Sequence, residues 1–391
     1  TAYEQMHKGW GGIGVLACAV PVIILPYYCS IGGWVLKYLS AFLTGHGAQA
    51  AEDGYFTGYI TQVGQPIIWM LIYVFITAMV VYKGVNKGIE KYSKILMPIL
   101  FVLIAGISVF SLTLKHTNAD GVTRTGMQGL AIYLIPNFRG MTVKSFLSVV
   151  MDALGQLFFS ISVAMGIMVT YGSYAKKETN LMKSINQIEF FDTLVALLAG
   201  LMIIPAVFAF SGGNPDNLQA GPSLMFITLP KVFASMGVGR LAGILFFILV
   251  LLAAVTSAIS LLETSVSTFQ DELHWSRPKC CILMVAVMLI IGTLSSMGYG
   301  VLSFIQIFGM ACLDFFDFLT NSVMMPIAAM MTSIFVSKVV GIDRIEEEIR
   351  HGEAAFRRKK IFVVMIKYLC PIFAMIILAS SVANAFGWIS M

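Results

Sequence analysis

Charge is scarce in this chain. Asp, Glu, Lys and Arg make up 12% of its 391 residues, roughly half the share usual in soluble globular domains. That scarcity excludes an ordinary water-facing surface. The six cysteines form no disulfide framework. Cys18, Cys29, Cys312 and Cys370 lie in or beside apolar runs, and Cys280 and Cys281 begin one, as small buried hydrophobes do. The five histidines are scattered without metal-ligand spacing, so nothing points to a histidine-bound metal centre. Low-complexity linkers are missing too, and residues 1–391 read as one transmembrane domain. No initiator Met or signal peptide opens the chain at Thr1, the pattern expected of a fragment.

Hydrophobic sequence is what the chain has in plenty, at 58% of residues and a mean hydropathy of +0.86. The apolar runs reach about 20 residues and their periods are helical, which excludes an outer-membrane barrel and predicts an all-α, multispanning membrane protein. Nine spans are predicted, at 11–36, 66–82, 95–114, 147–174, 190–211, 241–263, 280–296, 311–338 and 361–388. With residue 1 in the cytoplasm, alternation puts most basic residues on inner segments. These are Lys8, Lys83, Lys87, Lys91, Lys94, Lys176, Lys177, Lys183, Arg277, Lys279 and the cluster between 338 and 360. Lys115, Arg124, Arg139, Lys144, Lys231 and Arg240 fall outside. The positive-inside rule therefore predicts a cytoplasmic N-terminus and an external C-terminus in the inner (plasma) membrane. The net charge of +5 is a topology signal, and no nucleic-acid partner is needed to explain it.

The loops are informative as well. Residues 45–65 and 116–146 are long outer segments, and 212–240 contains the apolar run Phe226-Ile227-Thr228-Leu229-Pro230, which should pack rather than float. Residues 343–360 read as a short amphipathic surface helix with basic anchors.

The span at 147–174 is unusual because Ser160, Ser162, Ala164 and Gly166 occupy its centre. An unpaired backbone group in hydrocarbon costs several kcal/mol, so a helix is interrupted there only where it lines a cavity. A small-residue packing face would give the same composition, and both readings stand. Acids within spans are functional candidates by default. Asp192 lies in the inner part of its span, Asp314 and Asp317 lie one turn apart where both can face a vestibule, and Glu263 follows a hydroxyl-rich run. Asp152 and Glu189 lie near span ends and read as interfacial. The run Ala253-Ala254-Val255-Thr256-Ser257 offers oxygen to a hard cation such as sodium, although membrane hydroxyls also bond back to their own helix. Tyr27 and Tyr28 follow Pro26, either as packing or as phenols able to hold a carboxylate.

Together these segments resemble a known family. Leu-Pro-Tyr-Tyr at 25–28 with Trp34, Lys-Gly-Ile-Glu-Lys-Tyr-Ser-Lys-Ile-Leu-Met-Pro at 87–98, and Gly-Gln-Leu-Phe-Phe-Ser-Ile-Ser at 155–162 carry the likeness. So do Gly-Ile-Met-Val-Thr-Tyr-Gly-Ser-Tyr at 166–174, Phe-Ile-Thr-Leu-Pro at 226–230, Thr-Ser-Ala-Ile-Ser at 256–260, Asp-Glu-Leu at 271–273 and Asp-Phe-Phe-Asp-Phe at 314–318. In that order they resemble a bacterial neurotransmitter:sodium symporter, similar to the leucine, tyrosine and multi-hydrophobic amino-acid transporters. The resemblance implies an inverted-repeat transporter fold of two five-helix repeats. The spans here would be the family's third to eleventh, so the first repeat would lack its first two helices.

The resemblance also implies roles. Tyr28 would hold an amino-acid carboxylate, and Phe159 would be the aromatic lid. Ile24, Ser162, Met165, Ser257 and Leu261 would line the side-chain pocket, with Met165 where several relatives have Phe. Ser160 and Asp192 would bind one sodium ion, and Ala253 (through its carbonyl), Thr256 and Ser257 a second, each site being completed in the family by the first span. Ala164 stands where a Gly is usual. Asp317 would be the outer gate acid and Asp271 the inner one, with Tyr174 near it. Asp192 puts a fixed negative charge beside sodium, and Ala196 offers no hydroxyl where chloride-dependent relatives have Ser, so sodium without chloride is expected. The implied function is sodium-coupled symport of a hydrophobic or aromatic amino acid, with no bond made or broken and hence no enzyme activity. The alternative is a transport-inactive binding or regulatory protein of the same fold.

Overall fold

Long runs of Leu, Ile, Val, Ala and Met, with few internal breakers, give nine helices among the described residues that are long and apolar enough to cross a membrane. The computed structural model describes residues 2–117, 121–176, 179–211, 221–351 and 356–386. The helices are α1 (Gly11–Leu43), α2 (Gly64–Tyr82), α3 (Gly88–Thr113), α4 (Val143–Ser160), then a short α5 (Ile167–Ser173). They continue as α6 (Leu181–Phe210), α7 (Gly239–Leu273), α8 (Arg277–Met297), α9 (Cys312–Val340) and α10 (Lys359–Ala385). The predicted residues Lys177, 212–220 and 387–388 lie outside the described part.

Several helices outrun their predicted spans. Hydropathy marks only the segment that fits the hydrocarbon, whereas the helix continues until the backbone meets a stop signal. Thus α1 runs to Leu43, beyond Lys37, and ends before Gly45, whose φ is +86°. Helix α7 continues to Leu273 and ends where His274 turns left-handed, before Arg277-Pro278. At its other terminus α6 begins on a cap, with Asn180 Oδ1 accepting from the Lys183 amide at 2.9 Å.

The predicted span 147–174 is not one helix. It divides into α4 and α5, and the connection holds Ser162 at φ 55°, Ala164 at φ 61° and Gly166 at φ 72°. Three alternating left-handed residues cannot belong to a continuous helix, so the small residues mark a break rather than a packing face. Gly166 is needed for space as well as for φ. A Cβ there would lie 3.1 Å from the Ala17 carbonyl oxygen and 3.3 Å from Thr264 Cγ2.

Helix α1 is the centre of the molecule, packed on α2, α7 and α8. Its side chains Ile24, Leu25, Tyr38 and Phe42 are fully buried. Gly32 and Gly33 let α2 come close, because a Cβ at Gly32 would fall 2.5 Å from Tyr73 Cζ and one at Gly33 2.6 Å from the Met70 amide nitrogen. At the far end of α1, Trp34, Tyr38 and Phe42 join Phe56, Phe226 and Phe247 in an aromatic cluster, with Phe56 stacked on Phe226 at 5.2 Å. Tyr38 Oη donates to the Phe226 carbonyl at 2.8 Å. The apolar loop therefore packs as expected, as a helical turn through Leu224–Thr228 and Leu229–Ala234.

The long segment after α3 forms a hairpin, β1 (Lys115–Thr117) against β2 (Thr123–Thr125) in antiparallel register, and then a helix at Gly126–Leu134. The amphipathic helix lies at Ile342–Arg350, where Ile349 packs with Met182 and Phe356. Nearby, Arg358 Nη1 donates to Glu189 Oε2 at 2.7 Å. Helix α4 has no buried side chain and touches α10 only lightly.

Ala164 holds a conformation that costs about 1 kcal/mol for a residue with a Cβ and almost nothing for glycine. Ala164→Gly should therefore stabilise the fold by about 0.5–1 kcal/mol, and Ala164→Val should destabilise it. Thermal denaturation of the purified protein provides the check, and a glycine variant no more stable than the parent would count against strain at this position.

Candidate functional site

The break between α4 and α5 lies against α1 and α7 at Gly166, and these elements carry most of the candidate residues. From α1, Ile24 and Tyr28 project one turn apart, with Ile24 wholly buried. From the break comes Met165, 3% exposed, and from α7 comes Leu261, 4% exposed. Ser162, beside Met165, holds one of the left-handed positions. Tyr28 on α1 lies near Ser257 on α7. Ile24, Met165 and Leu261 belong to one buried core cluster, with Tyr28 packed against it.

Two groups of oxygen atoms occur on α4, α6 and α7. Ser160 Oγ, on the last residue of α4, donates to Asp192 Oδ1 of α6 at 2.6 Å. On α7, Thr256 Oγ1 donates to the carbonyls of Ala253 at 2.9 Å and Leu252 at 3.0 Å. This is the back-bonding that membrane hydroxyls favour. Spending the proton on the helix leaves the hydroxyl lone pairs free for a cation. Ala253 and Ser257 are exposed on one face, one turn apart. All the donors are hard oxygens, a set that suits sodium.

Above this region a cavity of about 660 Å³ is lined by Tyr27, Tyr28, Asp152, Gln156, Phe159, Asp317 and Asn321, among others. Phe159 is 39% exposed at its wall. Asp317 is held in place because Tyr27 Oη donates to its Oδ1 at 3.2 Å and Asn321 Nδ2 donates to the same oxygen at 2.6 Å. Asp314, expected to share this vestibule, does not line it and instead accepts from Tyr299 Oη at 2.8 Å. Although α9 does place the two acids one turn apart, they point to different partners. Asp152, read as interfacial, lines the cavity. Asn321 is not singled out by the sequence reading, although its i+4 spacing from Asp317 is a usable signal.

At the opposite end a second cavity, of about 710 Å³, is lined by Cys18, Gly166, Thr170, Ser173, Thr268 and Asp271, among others. Tyr174 does not line it. Its hydroxyl donates to Glu263 Oε1 at 2.7 Å. Glu263 is fully buried and gripped from the other side by Arg277, whose Nη1 donates to Oε1 at 3.1 Å and whose Nη2 meets Oε2. Arg277 Nε also donates to the Val81 carbonyl at 3.0 Å. In the sequence Glu263 stands out as an acid within a span. Arg277 reads there only as topological charge, since nothing local shows that the turn between α7 and α8 folds it back onto Glu263.

Residues 51–387 match the model of the sodium:neurotransmitter symporter family. The chain belongs to that family. It is 36% identical over 359 residues to YhdH, an uncharacterised sodium-dependent transporter of Bacillus subtilis, covering 90% of this chain and 75% of the relative. An uncharacterised sodium-dependent transporter of Haemophilus influenzae is 30% identical over 97% of this chain and 80% of its own length. Among solved structures, MhsT in complex with L-phenylalanine superposes with a TM-score of 0.82 and 32% identity, covering 97% of this chain and 83% of that one. The family resemblance and the inverted-repeat transporter fold are therefore borne out. Members of the symporter family are multi-pass membrane transporters, not enzymes, and sodium is their coupling ion.

Leaving a buried charge alone is far costlier than removing the pair. Arg277→Met should destabilise the symporter by about 3–5 kcal/mol, and adding Glu263→Gln should recover part of that loss. Denaturation midpoints of the single and double variants decide the matter. Equal losses in both would mean that the two charges are not coupled.

Proposed function

We propose that this symporter carries an amino acid with an apolar or aromatic side chain, together with sodium, into the cell across the plasma (inner) membrane by alternating access. The observation that carries the reading is the Ser160–Asp192 hydrogen bond at the helix break. It joins a hydroxyl and a carboxylate at interrupted backbone, an arrangement that supports a site shared by a cation and a zwitterion. MhsT, the structural neighbour, is seen with L-phenylalanine, and Ile24, Met165 and Leu261 would form a wall suited to such a side chain. Tyr28 would hold the carboxylate, Phe159 would cover the substrate, and Ser162 and Ser257 would complete the pocket. Ser160 with Asp192 would hold one sodium ion, and the Ala253 carbonyl with Thr256 and Ser257 the other.

The distribution of basic residues supports a cytoplasmic N-terminus, with the Asp317 cavity outside and the Asp271 cavity inside. Asp317 and Asp271 would then be the outer and inner gate acids, and Tyr174 would brace the inner side through Glu263. Coupling is linkage: sodium favours the geometry that binds the substrate, and the substrate raises sodium affinity by the same factor. Asp192 neutralises the ion from within the protein, which makes an added anion redundant.

Uptake of radiolabelled amino acids by proteoliposomes should need sodium and proceed equally well in sodium chloride and sodium gluconate. Asp192→Asn should impair it, and adding Ala196→Ser should restore uptake in a chloride-dependent form. A strong chloride requirement in the unmutated protein would sink the anion-free scheme. Tyr28→Phe should weaken substrate binding by about 1.5–3 kcal/mol, the worth of a hydrogen bond to a charged group. Unchanged binding would reduce Tyr28 to packing.

A further inference from the structure

The short helix α5 is tied to α7 at two points in register. Tyr171 Oη donates to Ser260 Oγ at 2.8 Å, and one turn further on Tyr174 donates to Glu263. Tyr171 and Tyr174 are three residues apart, as are Ser260 and Glu263, so α5 and this part of α7 run in the same direction. The second tie ends on a buried ion pair. The first leads elsewhere. Ser260 Oγ donates to the Thr256 carbonyl at 3.3 Å, and Thr256 Oγ1 donates to the Ala253 carbonyl at 2.9 Å.

We infer that Tyr171 and Ser260 are positioning residues that link the half-helix α5 to the sodium-binding turn of α7. The inference rests on the proposal that Ala253, Thr256 and Ser257 hold sodium. Each hydroxyl has a single proton to give. Ser260 gives its proton to Thr256, so its lone pairs must accept from Tyr171, and the chain has one direction. Ser260 is thereby aimed by the backbone of the turn that carries Thr256. The Tyr171 bond survives only while α5 rests against α7, because the two atoms lie on different elements. Gly166, at the head of α5, is seated against Ala17 and Thr264, so α5 can swing about this point while its Tyr171 end leaves α7. That movement would open the cavity containing Thr170, Ser173 and Asp271. Sodium, by ordering the Thr256 turn, would strengthen the tie, and the tie would in turn favour the sodium-bound state. The Tyr171 ring also packs against the core, so the hydroxyl has to be tested separately from the ring.

The test uses Tyr171→Phe, Ser260→Ala and their double variant in proteoliposomes. Each single change should raise the sodium concentration for half-maximal substrate binding by about three- to tenfold, the range expected for one neutral hydrogen bond. The double variant should shift it no further, since either change breaks the same link. In saturating sodium, alkylation of a cysteine introduced at Ser173 should speed up in all three. Unchanged sodium titrations, or shifts that multiply in the double variant, would overturn the link. Thr256→Val with Ser257→Ala separates the two levels. If that pair shifts the sodium titration while the Tyr171 and Ser260 variants do not, the sodium site stands and the link falls. If it shifts nothing, the sodium assignment falls and the link falls with it.

Discussion

A polar group buried within the membrane needs a partner that water cannot supply. Within hydrocarbon an unpaired amide or carbonyl costs several kcal/mol, and that constraint accounts for most of the architecture. It keeps the nine long helices continuous. It makes Thr256, Thr264, Ser265 and Thr268 return their protons to carbonyls of their own helix, at distances of 2.8–3.0 Å. It also explains why the buried Glu263 is met by both Arg277 and Tyr174. Among the described residues the helix gives way after Ser160, where left-handed backbone follows and the Ser160 hydroxyl meets the Asp192 carboxylate.

Much of this was legible in the sequence because hydropathy and the positive-inside pattern are local signals. The number and order of the spans follow from them directly. The break was visible as a run of small residues, but composition could not separate it from a packing face. Only the left-handed backbone at Ser162, Ala164 and Gly166 separates them. The contacts hidden from the sequence join residues far apart in the chain. Asp314 and Asp317 look equivalent in spacing, and their difference comes from Tyr299, Tyr27 and Asn321. Arg277 looks like a membrane-surface cation, yet the sharp turn after His274 returns it to Glu263. Spacing along a helix predicts which residues share a face but does not reveal what another helix brings to that face.

Asp317, which lines a cavity, and the fully buried Glu263 differ in how they are held. Asp317 is fastened by neutral donors, a phenol and an amide. Glu263 is satisfied bidentately by a guanidinium, a geometry in which both carboxylate oxygens are occupied. The first arrangement leaves the acid facing the cavity. The second suits a fixed strut between α7 and α8 on which moving parts can bear.

The glycine seam on α1 has a mechanical consequence. At Gly32 and Gly33 the face of α2 comes so near that not even a methyl group would fit. Interlocked surfaces of this kind resist shear, because sliding by a fraction of a turn would drive Tyr73 into the next residue of α1. The two helices therefore behave as one stiff beam. Any rocking motion must bend the structure elsewhere, which concentrates compliance in the parts that lack such a seam, above all the loosely packed α4 and the short α5 that follows it.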